Sequence, residues 1–238
     1  MYIVFKRDLL AYFRTPVGYV FMGVFLTLSG LLFYLYNLQN LSGDLLTFLS
    51  SMTLLTMLLC PLLTMRLICE ERQKRTDQLL LTSPVSLPGI VAGKYLAAVS
   101  VMALTTLLTL MFVLIVGIYG EVYPGELMVG YLGFLLQGCA FAALDLFISG
   151  LARNQVTAAV MAFGANFALW MLDMLESSVS VAWIAQLMSF FSLYSRNEPF
   201  LMGQLSFASI VYDLSFAAGC LALTVHVLDS RRYNGGAA

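Results

Sequence analysis

Six long apolar stretches, parted by short polar breaks, govern what this chain can become: 17–36, 45–68, 90–119, 127–151, 156–175 and 206–228. A helix needs about 20 mostly apolar residues to cross the ~30 Å hydrocarbon core of a bilayer, and every stretch meets that length. Apolar residues make up 61% of the chain and charged ones 11%, against about half and a quarter in a soluble domain. The expected fold is therefore all-α: a single membrane domain, 1–238, with six transmembrane helices. The first stretch is too long for a signal-peptide core and lacks a small-x-small cleavage site, so it is expected to stay as an anchor.

Charge placement sets the expected orientation. Lys6, Arg7 and Arg14 precede the first span, and Arg66, Arg72, Lys74, Arg75 and Lys94 surround the loop after the second. Arg153 follows the fourth span, and Arg231 and Arg232 follow the sixth. Six crossings put all of these on one side and leave only Arg196 on the other. The positive-inside rule makes the basic side cytoplasmic, with both chain ends on it. Asp44, Glu121, Glu126, Glu176 and Glu198 then fall outside.

Two segments do not read as spans. Residues 1–15 read as an amphipathic helix on the inner surface, with Tyr2, Phe5, Leu9 and Tyr12 or Phe13 on one face. Lys6, Arg7 and Asp8 share another face. Thr15-Pro16 stops this helix, since proline disfavours helical geometry in the residue before it, and Pro16 can open the next one. Such a helix either carries force into the first span or anchors topology. Residues 177–200 are too greasy for a free external loop, with Trp183, Ile184, Leu187, Phe190 and Phe191, yet too short to cross. They read as a re-entrant or interfacial hairpin ended by Pro199, either a gate or an aromatic belt.

The densest charge cluster, 70–86, lies between the second and third spans: Glu70, Glu71, Arg72, Lys74, Arg75, Thr76, Asp77 and Gln78, then Leu79, Leu80 and Leu81. Thr76 can cap a short helix, Asp77 suits the positive end of its dipole, and Ser83-Pro84 ends it. Ser86 and Pro88 then start the next span. A loop that only fixed topology would not need three leucines and paired caps.

Arg66-x3-Glu70-Glu71-Arg72-x3-Thr76-x2-Leu79-Leu80-Leu81-x2-Pro84-x-Ser86, followed by Gly93-Lys94-Tyr95, resembles the coupling-helix region of ABC-2-type exporter permeases. Tyr12-Phe13-Arg14-Thr15-Pro16-Val17-Gly18-Tyr19-Val20 and Phe25-x4-Gly30 are similar to the branch containing the gliding-motility ABC permeases. Arg75 departs from the pattern, replacing a glycine that many relatives carry before the threonine, and stiffens that turn. The resemblance implies a permease in the bacterial cytoplasmic (inner) membrane, docked through residues 70–81 on a dimer of ABC ATP-binding subunits. It also implies a second permease copy or related permease beside it, with a possible extracytoplasmic accessory subunit.

ATP chemistry is not expected in this chain. The nearest approach to a phosphate-binding loop, Gly89 to Tyr95, is one residue short between its glycines and has Tyr95 where a magnesium-binding hydroxyl belongs. ATP and Mg are therefore assigned to the partner, with no cofactor, metal, catalytic site or nucleic acid bound here. His226 stands alone, and Cys60, Cys69, Cys139 and Cys220 lack ligand spacing and read as small buried hydrophobes.

Asp145, Asp173 and Asp213 interrupt apolar runs, and a carboxylate near a helix centre costs about 2.5–3.5 kcal/mol on insertion scales. They either line a substrate path or make structural pairs, with Asp173 and Asp213 placed to share an outer vestibule and Asp145 one loop from Arg153. Gly130, Gly133, Gly138 and Gly164 permit close helix approach, within the bundle or between copies. Pro61 is expected to kink the second span. Two rival functions follow from the same features: a force transmitter acting on external partners without transport, and an ion-coupled secondary transporter. The second would show internal repeats, and none is convincing here.

Overall fold

Backbone polar groups in hydrocarbon must be satisfied within the chain, so apolar spans of this length settle into helices. The computed structural model describes residues 1–73, 86–119, 123–176 and 192–234. Eight helices run through them: α1 Tyr2–Arg14, α2 Pro16–Phe33, α3 Leu45–Gln73, α4 Leu87–Tyr119, α5 Pro124–Leu151, α6 Gln155–Glu176, α7 Tyr194–Leu201 and α8 Phe207–Asn234. A π-helical turn, Tyr34–Leu38, prolongs α2. Helices α2 to α6 and α8 are the six long and apolar enough to cross a membrane, and there is no strand among the described residues. Residues 74–85 and 177–191 lie outside the described set. They include the expected coupling helix, Lys74, Arg75, Thr76, Asp77, Gln78 and Leu79 to Leu81, and most of the expected hairpin.

Local chemistry fixes the helix starts. Thr15 is extended (φ -100°, ψ 155°) between α1 and α2, and Pro16 opens α2, where its missing N–H costs nothing. Asp44 caps α3, accepting from the backbone N–H of Leu46 (3.0 Å) and Thr47 (3.2 Å). Asn154 caps α6 through Thr157 N–H at 2.7 Å. Asn37 donates to the carbonyls of Ser42 and Asp44, both at 3.0 Å, and pins the α2–α3 turn.

Helices α3 and α5 form the centre, with 61% of the most apolar window of each buried, against 17% for α6. Helix α5 packs on α3, α8, α6, α4 and α7. Two hydrogen bonds cross its seam with α3: Cys69 Sγ donates to Ser149 O (3.1 Å) and Ser149 Oγ to Met65 O (3.1 Å). Phe33, Phe48 and Phe112 lock α2, α3 and α4, with ring centroids 4.8 to 5.7 Å apart. Gly130, Gly133 and Gly138 of α5 serve this internal packing. Gly133 lies directly under Phe200 of α7, and a methyl at Gly130 would fall 2.8 Å from Leu46. Gly164 on α6 has open space around it instead.

Helix α1 differs from the expected surface helix. Its buried stripe is Val4, Asp8 and Tyr12, while Tyr2 is exposed and Phe5 and Leu9 are half-buried. Asp8 therefore belongs to the inward face rather than to a polar one with Lys6 and Arg7. The cause is Gly93 on α4: a Cβ there would stand 3.1 Å from Met1 O, Phe5 N and Val4 Cβ. A side chain there would push α1 and α4 apart by a few tenths of an ångström, so glycine favours their close approach. The stretch that approached a phosphate loop is helix, and its second glycine is a contact surface.

Candidate functional site

Six charged side chains gather where α3 ends and α4 begins, at the end of the bundle that carries α1. Helix α1 contributes Arg7 and Asp8, helix α3 contributes Arg66, Glu70 and Glu71, and α4 contributes Lys94. Lys94, expected near the membrane surface, is only 2% exposed. Its Nζ reaches Asp8 Oδ2 at 3.2 Å, Glu71 Oε2 at 2.8 Å and the carbonyl of Leu67 at 2.6 Å. Three acceptors match the three hydrogens of an ammonium. A buried charge left unpaired is costly, so this geometry is what allows a lysine to remain inside.

Arg7 closes the cluster from outside. Its Nη2 lies 2.5 Å from Glu71 Oε1 and its Nε 2.7 Å from Asp8 Oδ1. Partial burial works against its charge, but the two carboxylates outweigh it and hold the guanidinium above its ordinary range. Arg66 pairs with Glu70 one turn on, at 2.8 Å, and donates to Thr15 Oγ1 at 3.1 Å. Tyr12 donates to Leu63 O at 2.7 Å, and burial pushes its hydroxyl well above the usual range. These residues line a cavity of about 330 Å³. Helix α1, the end of α3 and the start of α4 are thus fastened at the point where the chain leaves for residues 74–85.

Beside this cluster, α5 ends in free carbonyls that basic residues cover. Arg72 Nη1 donates to Ala152 O at 2.7 Å, and Arg231 Nη2 to Leu151 O at 3.2 Å. Cations at a helix C-terminus oppose the negative end of its dipole. Of the expected docking residues, Glu70, Glu71 and Arg72 are the described ones, and all three are held within the chain. Sequence reasoning missed Asp8 and Lys94 as partners, although the four-residue spacing of Val4, Asp8 and Tyr12 marks one helical face.

The buried acids sit elsewhere. Asp145, one loop from Arg153 in sequence, is 1% exposed and meets Asn166 of α6, whose Nδ2 donates at 2.9 Å. Asp213, also 1% exposed, meets Asn197 of α7 at 3.5 Å. Asp173 is half-buried and accepts from Ser192 Oγ and from Ser195 N–H (3.2 Å). Asp173 and Asp213 therefore flank α7 from two sides. A groove of about 700 Å³ between α4 and α5, walled by Leu107, Leu110, Met128 and Leu135, has no charged residue among its described lining.

Residues 34–217 match a family model described as ABC-2 family transporter protein. No curated protein matches the chain. The matched span runs from the π-helical turn after α2 into α8 and takes in four of the six clustered charges, Arg66, Glu70, Glu71 and Lys94, together with both buried acid pairs. With six helices able to cross a bilayer and a family match over most of its length, the chain belongs to the ABC-2 transporter family, as a multi-pass membrane permease.

Proposed function

We propose that this permease is driven by separate ABC ATP-binding subunits that dock on residues 70–81 from the cytoplasm, and that it exports its substrate. One observation carries the reading: the three-helix cluster around Lys94 sits directly at the root of that segment. A push on Thr76 to Leu81 would arrive at Glu71, which holds Lys94 of α4 and Arg7 of α1 at once. Helices α1, α3 and α4 would then tilt as a unit, while Pro61, buried midway along α3, supplies a break in the helical ladder. The basic residues at this end support a cytoplasmic orientation, with Arg196 at the other end. Two permease copies on two ATP-binding subunits, in a bacterial cytoplasmic membrane, complete the assembly, with nucleotide and magnesium in the partners.

Single cysteines at Thr76 and Leu80, in protein co-expressed with its ATP-binding subunit, test this. Both should cross-link to that subunit, and both should react with an impermeant thiol reagent only from the inner face. Labelling from the outer face alone would overturn the orientation. Nucleotide-driven transport in vesicles unchanged by Leu79→Ala, Leu80→Ala and Leu81→Ala together would overturn the docking.

A further inference from the structure

Asn166 donates twice from Nδ2: to Asp145 Oδ1 at 2.9 Å and to Met57 O at 3.4 Å. Met57 O is the carbonyl that residue 61 would take in an unbroken helix, and Pro61 has no N–H to give. Two atoms of the pair, Asp145 Oδ2 and Asn166 Oδ1, are closed to solvent and have no hydrogen-bond partner among the described residues. Helices α7 and α8 repeat the pattern. Asn197 donates to Leu193 O (3.0 Å) and Asp213 Oδ1 (3.5 Å), while Asp213 Oδ2 and Asn197 Oδ1 are left without a partner. In both pairs two acceptors around Nδ2 fix the amide orientation, because a flipped amide would set its oxygen against both.

A carboxylate oxygen and an amide oxygen are both acceptors, so each pair is one hydrogen short when the acid is ionised. Among the described residues no cation makes up the difference. Asp145 has the Cys60 thiol, a weak donor, within reach and the Cys220 thiol nearby, and Asp213 faces the Cys139 thiol and the Tyr212 hydroxyl. Arg196 lies over the Tyr212 ring, 5.4 Å from its centroid. A single proton on Oδ2 would satisfy both unpartnered atoms, closing a ring in which the acid donates to the amide oxygen and the amide donates to the acid.

We propose that Asp145 and Asp213 are proton-binding sites, each a neutral carboxylic acid donating to the side-chain oxygen of its asparagine. Asp145 then helps hold Asn166 over the break at Pro61, and losing its proton would set two acceptors against each other there. The buried acids of this permease are uncharged donors and present no fixed negative charge along a path.

Infrared spectroscopy of the whole protein in lipid nanodiscs at neutral pH tests this. Wild type should show a protonated-carboxyl C=O band that moves down in D2O. Asp145→Asn and Asp213→Asn should each remove part of it, and the double variant all of it. Absence of the band in wild type, or its survival in the double variant, would overturn the proposal. Thermal stability gives a second reading. Asparagine can still donate to the amide oxygen, so Asp145→Asn should melt near wild type and Asp145→Leu well below it. Equal losses in the two would count against a neutral acid. Should the variants fail to fold, the wild-type spectrum decides by itself.

Discussion

The charged cluster around Lys94 and the acid–amide pairs at Asp145 and Asp213 solve one problem in opposite ways. Both bury ionisable groups in a protein with few of them. At the α1 end, Arg7, Arg66 and Lys94 meet Asp8, Glu70 and Glu71, so every charge has an opposite neighbour. Within the bundle, Asp145 and Asp213 each accept from an asparagine amide, with neutral thiols and a hydroxyl around them. The difference follows from supply. Lysine and arginine are confined to the polar ends of spans, so an acid near an end finds a cation and an acid inside finds a neutral donor. The first arrangement gives a rigid joint; the second gives a polar contact without charge.

Removing the central cation should break the contrast most severely. Lys94→Ala leaves Asp8 and Glu71 with only the half-exposed Arg7 as counter-charge, and breaking a buried pair costs about 3–5 kcal/mol. The melting temperature in nanodiscs should fall sharply, with partial recovery when Asp8→Asn is added. No recovery would mean that Lys94 acts through packing alone.

A middle-sized effect should come from the other region. Asn166→Leu strips the donor from Asp145 Oδ1 and Met57 O together, at about 1–3 kcal/mol. Pro61→Ala restores a backbone N–H to Met57 O, so the same Asn166→Leu change should cost less in that background. Equal costs in a double-mutant cycle would break the link between proline and asparagine.

The smallest effect sharpens the boundary between the two regions. The Arg7 side chain is 47% exposed, and an exposed ion pair contributes about 0–1 kcal/mol. Arg7→Gln should lower stability slightly at low salt and not measurably at high salt. A loss as large as that of Lys94→Ala would show that the cluster has no dry centre.

Much of the architecture was legible. Six apolar runs match six helices, because the length needed to cross hydrocarbon is a property of a segment by itself. Thr15-Pro16 marked the α1–α2 corner, because proline acts on its immediate neighbour. The helices run past the expected ends, α3 to Gln73 and α8 to Asn234, since polar residues outside the apolar run extend the same ladder. The site was less legible. Asp8 looked like part of a polar face until Gly93 drew α1 against α4, a contact made between residues 86 and more positions apart. The pairing of Asp145 with Asn166 was equally hidden. An asparagine in an apolar run gives no sign of which helix it will face.

What the sequence alone determined was the number of crossings and the gathering of basic residues at one end, because hydropathy and charge act on each segment separately. Only the tertiary structure decided which buried acid would meet a lysine and which an asparagine. That choice depends on which helix faces touch, and the facing is set by where a glycine permits contact and where a proline leaves a carbonyl free.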